Sequence, residues 1–247
     1  MCCFSRPVDL VAGTNIFARS AKEGRQFLVY SMTVKAGEDL AMILPIPVPK
    51  GTKEDAVSFI NLEKYPDFFE EMVLGFPVPR TKDDSSPKKD KAWGGDQKLK
   101  VVEVGSFVAS FVPAVKDFSR LDERFRLPEG TWDKLPAYKE YGFAVFQLKK
   151  GEMKVHPMAF DFPTANPKKL FFPTVHIHDG KVHERAKFDH ALYCQGRTEV
   201  GLHWEESPQP ANMFMTKLEQ AKDIVAAKEH VYRRRMVGTA KNEDLWI

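Results

Sequence analysis

The sequence predicts an α+β fold in which a mainly antiparallel β-sheet is covered by a long C-terminal helix. Short apolar and β-branched runs, separated by turn residues, fill most of the chain up to about residue 205. A run of apolar residues at helical spacing follows them. The chain has 247 residues, of which 43% are hydrophobic and 29% charged, so it can bury a sizeable core and has the composition of a globular protein.

The first fifty residues are predicted to form strands, because apolar runs alternate there with Glu-Gly and Ala-Gly turn signals. Prolines at alternate positions from Pro45 to Pro49 remove backbone donors, so we expect this run at an edge of the sheet or leaving it. After it, residues 53–75 are predicted to be helical in part, with a turn-rich helix that begins near Pro66. The strands predicted within the first fifty residues are 15–19, 26–35 and 39–48.

A charged segment follows the predicted helix. Residues 80–98 combine Lys, Asp, Ser, Pro and Gly almost without apolar residues. Such a composition cannot offset the entropy of ordering, which predicts a mobile, solvated loop. Strands are predicted to resume at 101–111 and 142–149, because apolar runs return there.

The chain is predicted to be a single domain, 1–247, with two similar β-rich halves. A strand, a Lys-Gly-Glu type of turn and a second strand follow Phe27, and the same order follows Phe143. Two similar hairpins would explain this weak internal repeat. The halves would be about 1–78 and 99–205, joined by the mobile loop.

The last element is predicted to be a helix over residues 212–236, because apolar residues recur there at helical spacing. Thr216 and Glu219 have the spacing of a capping box near its start. The three arginines 233–235 would then lie in its last turn, where cations interact favourably with the helix dipole.

Composition and charge exclude several classes of partner. Lys and Arg number 37 against 34 Asp and Glu, a net charge of +3 that gives no reason to expect nucleic acid or a membrane surface. The 3 cysteines do not fit the even framework of small secreted domains. No apolar run approaches the ~18–20 residues that span a bilayer, and no signal peptide is recognisable. We therefore expect a cytoplasmic protein, of unknown oligomeric state, without a nucleic-acid or membrane partner.

A histidine-rich segment carries the clearest chemical signal. Asp179 and Gly180 between alternating residues predict a two-residue hairpin turn, with Gly180 at positive φ. The register of such a hairpin places His176 opposite His183. His178 is two residues from His176, so three imidazoles are predicted to share one face of the ribbon.

Three imidazoles on one face could bind a transition metal ion. Opposed residues have Cβ atoms ~4.5–5.5 Å apart, which lets ring nitrogens reach one ion at ~2.0–2.1 Å. His190, Cys194 or the N-terminal cysteines would complete the site, whereas Lys181 on the same face counts against it. The alternative is a surface hairpin whose polar face happens to hold histidines. The predicted metal ligands are His176, His178, His183 and His190.

Such a ligand set suits Zn, Cu or Fe. The ion could act as a Lewis acid or lower the pKa of bound water. The first functional hypothesis is therefore a transition-metal-binding protein, a metalloenzyme acting as a hydrolase or an oxidoreductase on a small-molecule substrate.

Two cysteines are candidate nucleophiles. Removal of Met1 would expose Cys2 with a free α-amine, the arrangement in which a nucleophile is activated by its own amine. In its first residues and strand-rich start the chain is similar to the N-terminal-nucleophile hydrolases, and this resemblance implies an amidohydrolase with Cys2 as nucleophile. Cys194 with His190 would form a Cys–His pair, or else Cys194 is a small buried hydrophobe.

The third functional hypothesis is a non-catalytic interaction protein. The proline-rich runs near Pro45 would leave sheet edges that a partner could contact. The sequence alone keeps all three hypotheses open.

Overall fold

β-strands dominate the computed structural model of the chain, which describes residues 2–76, 102–104, 107–179, 181–196, 200–201 and 203–247. The predicted mobile loop, 80–98, and the turn residue Gly180 lie outside these residues. The α+β prediction is wrong, because the fold is β-rich and the described residues contain one α-helix, α1 (Phe68–Leu74). The division into halves 1–78 and 99–205 stays a prediction.

Strands account for the predicted apolar runs, and most of them pair with partners far away in the sequence. The described strands are β1 (Cys2–Phe4), β2 (Leu10–Ser20), β3 (Arg25–Ala36), β4 (Leu40–Ile46), β5 (Ser58–Asn61), β6 (Val102–Val104), β7 (Phe107–Val112), β8 (Gly142–Leu148), β9 (Gly151–Pro163), β10 (Phe171–Phe172), β11 (His176–Ile177), β12 (Arg185–Gln195), β13 (Glu205–Pro210), β14 (His230–Lys241) and β15 (Leu245–Trp246). Short 3-10 turns connect several of them, at Lys22–Gly24, Val115–Arg120, Glu123–Phe125, Trp132–Lys134, Pro136–Tyr138, Ala211–Met213 and Leu218–Ala221.

Two large sheets form the architecture. The first has the strand order β11-β1-β4-β8-β7-β6, and the second has the order β13-β14-β12-β2-β3-β9-β5. β4 is internal rather than at the edge, but β1 pairs with it only at Met42 and Ile43. Pro45 therefore lies beyond the reach of β1, and its missing N–H leaves no described ladder incomplete. β10 and β15 form a separate pair.

Three groups of buried apolar side chains hold the layers together. The interior core lies between the two sheets and includes Phe146 of β8 and Phe160 of β9, whose ring centroids are 5.9 Å apart. The α1-side core covers the other face of the second sheet and contains Phe17, Phe68 and Tyr193. The outer core covers the first sheet with the 3-10 turns between residues 115 and 138.

The predicted C-terminal helix, 212–236, is wrong. Its first half consists of 3-10 turns, and its second half is the strand β14. Lys222 and Asp223 have positive φ angles of 50° and 62°, which no α-helix accepts. The apolar side chains of Ala221 and Ile224 are buried in the α1-side core as loop anchors, so their helical spacing is coincidental.

The features predicted at the ends of that helix have other roles. Thr216 does not cap a helix with Glu219. Its hydroxyl donates instead to Glu71 of α1 over 2.9 Å. Arg233, Arg234 and Arg235 lie within β14. No helix in the described ranges has the length and apolar character needed to cross a bilayer.

Gly142, at the start of β8, leaves room for an aromatic ring of the interior core. A Cβ atom at this position would lie 2.4 Å from the ring of Phe111 and 3.0 Å from Val48. We expect Gly142→Ala to lower the free energy of unfolding by about 1–3 kcal/mol, because overpacking forces the ring out of place. Urea denaturation measures the change.

Gly37 provides the matched control. It lies in the turn before β4, and a Cβ there would meet no described heavy atom within 4 Å. Gly37→Ala is expected to leave the stability unchanged or to raise it slightly. Equal losses of stability in the two variants would contradict the packing argument.

Candidate functional site

Three of the predicted histidines lie together where the two sheets meet. His176 is in β11 of the first sheet, and His190 is in β12 of the second. Their Nε2 atoms are 2.9 Å apart, so one imidazole donates a hydrogen bond to the other. The ring of His176 also stacks on that of His178, with centroids 4.7 Å apart and planes at 20°. We call His176, His178 and His190 the histidine cluster.

His183 is not part of the histidine cluster, and the predicted pairing of His176 with His183 does not occur. β11 pairs instead with β1, in parallel, with His176 beside Cys2. The side chain of Asn242 takes the place of the predicted strand pairing. Its amide donates to the carbonyl oxygens of both His176 and His183, at 3.0 and 2.9 Å. The ring of His183 is exposed and lies 2.9 Å from Asp179 Oδ2.

Burial keeps the histidine cluster neutral. Burial, and secondly a charge on His190, lower the pKa of His178 to about 4. Burial likewise lowers the pKa of His176 and, against the effect of Asp189, that of His190. Asp189 Oδ1 lies 3.7 Å from His190 Nδ1, too far for a hydrogen bond. The cluster is therefore a set of uncharged, stacked rings at neutral pH.

The transition-metal prediction is wrong for the described residues. Among them, no group of three His, Cys, Asp or Glu side chains is placed to hold a metal ion. His176 and His190 each use one ring nitrogen, Nε2, in their mutual hydrogen bond. The metalloenzyme hypothesis is therefore wrong for the described residues. The expectation of a Zn, Cu or Fe cofactor stays a prediction.

The candidate nucleophiles lie in different layers. Cys194 is fully buried in the interior core. His190 is four residues away on the same strand, about 13 Å at ~3.3 Å per residue, so the two side chains are out of hydrogen-bonding reach. The backbone of Cys2 pairs with β11. The catalytic role of Cys2 stays a prediction.

An exposed apolar surface lies at the end of α1. Leu74 and Met213 are 63% and 66% exposed, among the most exposed large apolar residues described, and Val73, next to Leu74 in α1, is also exposed. Leu74, Met213 and Phe214 line a half-open depression. We call Val73, Leu74, Met213 and Phe214 the α1 surface.

A rigid base supports the α1 surface. Phe214 lies against Gly75, where a Cβ would approach within 2.5 Å of its ring. Glu71 accepts a hydrogen bond from the Tyr65 hydroxyl at 2.7 Å and others from Thr216. Burial alone would raise the pKa of Glu71, but these hydrogen bonds lower it. The carboxylate therefore stays charged and ties α1 to the segment that carries Met213.

A helical wheel of α1 contains the signal for this surface. Phe68, Phe69 and Met72 lie on the stripe that faces the α1-side core. Leu74 is two residues beyond Met72, which places it about 200° around the helix from that stripe. An apolar residue on the polar side of an amphipathic helix is the pattern from which the surface could have been predicted.

Comparison with solved structures identifies the fold. No protein-family model and no curated protein matches the chain. The crystal structure of baculovirus P35 is similar over 97% of this chain and 96% of P35, with a TM-score of 0.50 and 12% identity. A mutated baculovirus P35 after caspase cleavage covers 95% and 99%, with a TM-score of 0.48 and 13% identity. P35 in its complex with caspase-8 covers 95% of each chain, with a TM-score of 0.47 and 12% identity. At these identities the first of these likenesses shows a P35-like fold alone.

Acid should destabilise the protein through the histidine cluster. The unfolded chain binds protons at these histidines near their reference pKa of ~6.5, whereas the folded chain resists them. The contribution of these histidines to the free energy of unfolding is therefore fully present above pH ~6.5. For each such histidine it falls by about 1.4 kcal/mol per pH unit as the pH drops toward 4. Urea denaturation at pH 7 and pH 5 measures the effect.

Two variants test whether the acid sensitivity arises from the histidine cluster. His178→Phe keeps an aromatic ring beside Phe4, whose centroid is 5.6 Å away, and should remove about 2 kcal/mol of the difference between pH 7 and pH 5. His183→Gln changes the exposed histidine and should leave the difference as in the wild type. An unchanged pH dependence in His178→Phe would show that the acid sensitivity arises elsewhere.

Proposed function

We propose that this protein is a non-catalytic binding protein that engages a protease of the caspase class through the α1 surface. The observation that carries the proposal is the exposure of Leu74 and Met213 on a base fixed by Glu71. Apolar side chains on a preordered base are the chemistry of a protein-binding hot spot.

The physical setting favours a protein over a small molecule. The depression beside Leu74 and Met213 is half open. Small-molecule sites are clefts that enclose most of their ligand and place a few polar groups to orient it. A partner with a complementary apolar surface would instead bury both side chains at little entropic cost, because α1 is already ordered. The earlier expectation of a small-molecule substrate is replaced by that of a protein partner.

The class of partner is taken from P35. A solved structure contains P35 in complex with caspase-8, and another contains P35 after cleavage by a caspase. The backbone likeness to P35 extends over nearly the whole of both chains. One fold can carry unrelated functions, so the choice of caspases as the first proteases to test is an analogy from the fold.

The test measures caspase-8 activity on a fluorogenic peptide in the presence of increasing amounts of the purified protein. We expect inhibition, together with co-elution of the two proteins in size-exclusion chromatography. Leu74→Asp and Met213→Asp should each weaken binding by about tenfold or more, since burying such a side chain contributes ~1.5–3 kcal/mol. Intact mass of the protein after incubation shows whether the caspase has cut it, and at which bond.

Leu10→Asp is the matched control. Leu10 is another exposed apolar residue, at the start of β2 and outside the α1 surface. Its substitution should leave the inhibition constant unchanged. Equal weakening by Leu10→Asp and Leu74→Asp would contradict the location of the site, and full caspase activity with no co-elution would contradict the class of partner.

A further inference from the structure

We propose that the outer edge of β14, residues 235–241, binds an extended acidic segment of a partner protein by β-strand addition. This edge is separate from the α1 surface, and the proposal does not depend on the function given above. It rests on the pairing, the hydrogen-bond direction and the side chains of β14.

One side of β14 is only half covered by described strands. β12 pairs with β14 along its whole other side, from Cys194 opposite Tyr232 to Arg185 opposite Lys241. β13 pairs with β14 only at its beginning, as far as Arg233. Within the described ranges, residues 235–241 therefore have a neighbouring strand on one side alone.

The backbone groups of alternate residues point toward this open side. Asn242 N donates to Glu184 O over 2.9 Å, which makes the even-numbered positions the ones that exchange hydrogen bonds with β12. Val231 N points the other way and donates to Ser207 Oγ. The odd-numbered residues Arg235 and Val237 therefore direct their N–H and C=O groups outward, as an added strand requires.

The same odd-numbered residues place their side chains on the exposed face of the sheet. Val237 is 70% exposed, and Arg235 and Thr239 are also exposed. Lys241 is exposed at the end of the strand. An incoming strand would thus meet a cation, an apolar side chain, a hydroxyl and a second cation at every second residue.

The charges around the edge are mostly positive. Arg185 of β12 donates from its guanidinium to Thr239 O over 3.1 Å, which brings a third cation to the edge. Because this bond occupies the Thr239 carbonyl, the outward groups that an added strand would use are those of Arg235 and Val237. Lys187 lies opposite Thr239 on the same strand as Arg185. Three carboxylates lie nearby: Glu243 pairs with Lys241 and raises its pKa, Glu184 precedes Arg185 and raises the pKa of Lys241 further, and Asp189 accepts a hydrogen bond from Gly13 N. The cations exceed the anions, so the edge complements an acidic strand.

A second copy of this chain fits the edge poorly. Antiparallel pairing of residues 235–241 with the same residues of another copy would place Arg235 opposite Lys241. Like charges directly opposite each other destabilise a strand pair. Cations on an exposed strand can also serve only to prevent aggregation. The experiment separates these outcomes.

The probe is a fluorescent peptide, Glu-Ser-Thr-Ser-Ile-Ser-Glu, whose binding is measured by fluorescence anisotropy. In antiparallel register its two glutamates face Lys241 and Arg235, and its isoleucine faces Val237. We expect saturable binding that weakens with added salt, and at least ~10-fold weaker binding of the same peptide with lysine in place of both glutamates. Equal binding of the two peptides, or none of either, would overturn the proposal.

Variants test the edge in a way that a folding defect cannot imitate. Arg235→Glu with Lys241→Glu should reverse the preference, so that the lysine peptide binds better than the glutamate peptide. Val237→Pro should abolish binding of both, because it removes an outward N–H that no described strand uses. Lys134→Glu, at an exposed position among the 3-10 turns, is the control and should change neither affinity. A concentration-dependent dimer that Val237→Pro dissolves would assign the edge to a second copy and overturn the proposal.

Discussion

The arrangement of the two large sheets depends on two chain crossings that seal the interior core. β3 in the second sheet leads into β4 in the first, and β8 in the first sheet leads into β9 in the second. β3 pairs with β9 as far as Ala36 opposite Gly151, and β4 pairs with β8 from Leu40 opposite Leu148. The two crossings therefore lie side by side, and Lys150 N donates to Asp39 between them over 2.9 Å. Neither sheet can slide without breaking the register of the other.

The histidine cluster is a buried polar group in the contact between the sheets. His176 and His190 come from different sheets, and their mutual hydrogen bond satisfies one nitrogen of each. Phe188 covers the His176 ring, with centroids 4.6 Å apart. Imidazoles can occupy such a position only while they are neutral, because a buried charge without a partner is strongly unfavourable. Their common location thus reflects the closing of the two sheets and provides no metal ligand set.

Local patterns predicted the strands well and the long-range pairing badly. The predicted strand 26–35 lies within β3, because its run of apolar and β-branched residues is a local property of the sequence. The predicted hairpin at Asp179 failed because the side chain of Asn242, some sixty residues away, satisfies the backbone of His176. The strands that follow Phe27 and Phe143 pair across the predicted repeats and not within them, so the two similar hairpins do not form. No sequence window contains such information.

The candidate sites follow the same division. The proximity of His176 and His178 was predictable from their spacing, whereas the approach of His190 to His176 depends on the meeting of the sheets. The exposure of Leu74 could have been predicted from a helical wheel of α1. That of Met213 could not, because Met213 lay inside a predicted helix that does not form. The residues that bring Met213 to α1, Glu71 and Thr216, are 145 positions apart in the chain.

Packed side chains fill the described core between the two sheets. The interior core is closed by aromatic and aliphatic side chains from both sheets, and its buried cysteine and histidines lie among them. The α1-side core rests on Phe17, Val29 and Tyr193 of the second sheet, so α1 stands on a base that the strand pairing has already fixed. Apolar side chains that project from such a base lose little freedom when a partner covers them. Rigid strands and the short, firmly held α1 therefore suit the binding role proposed above.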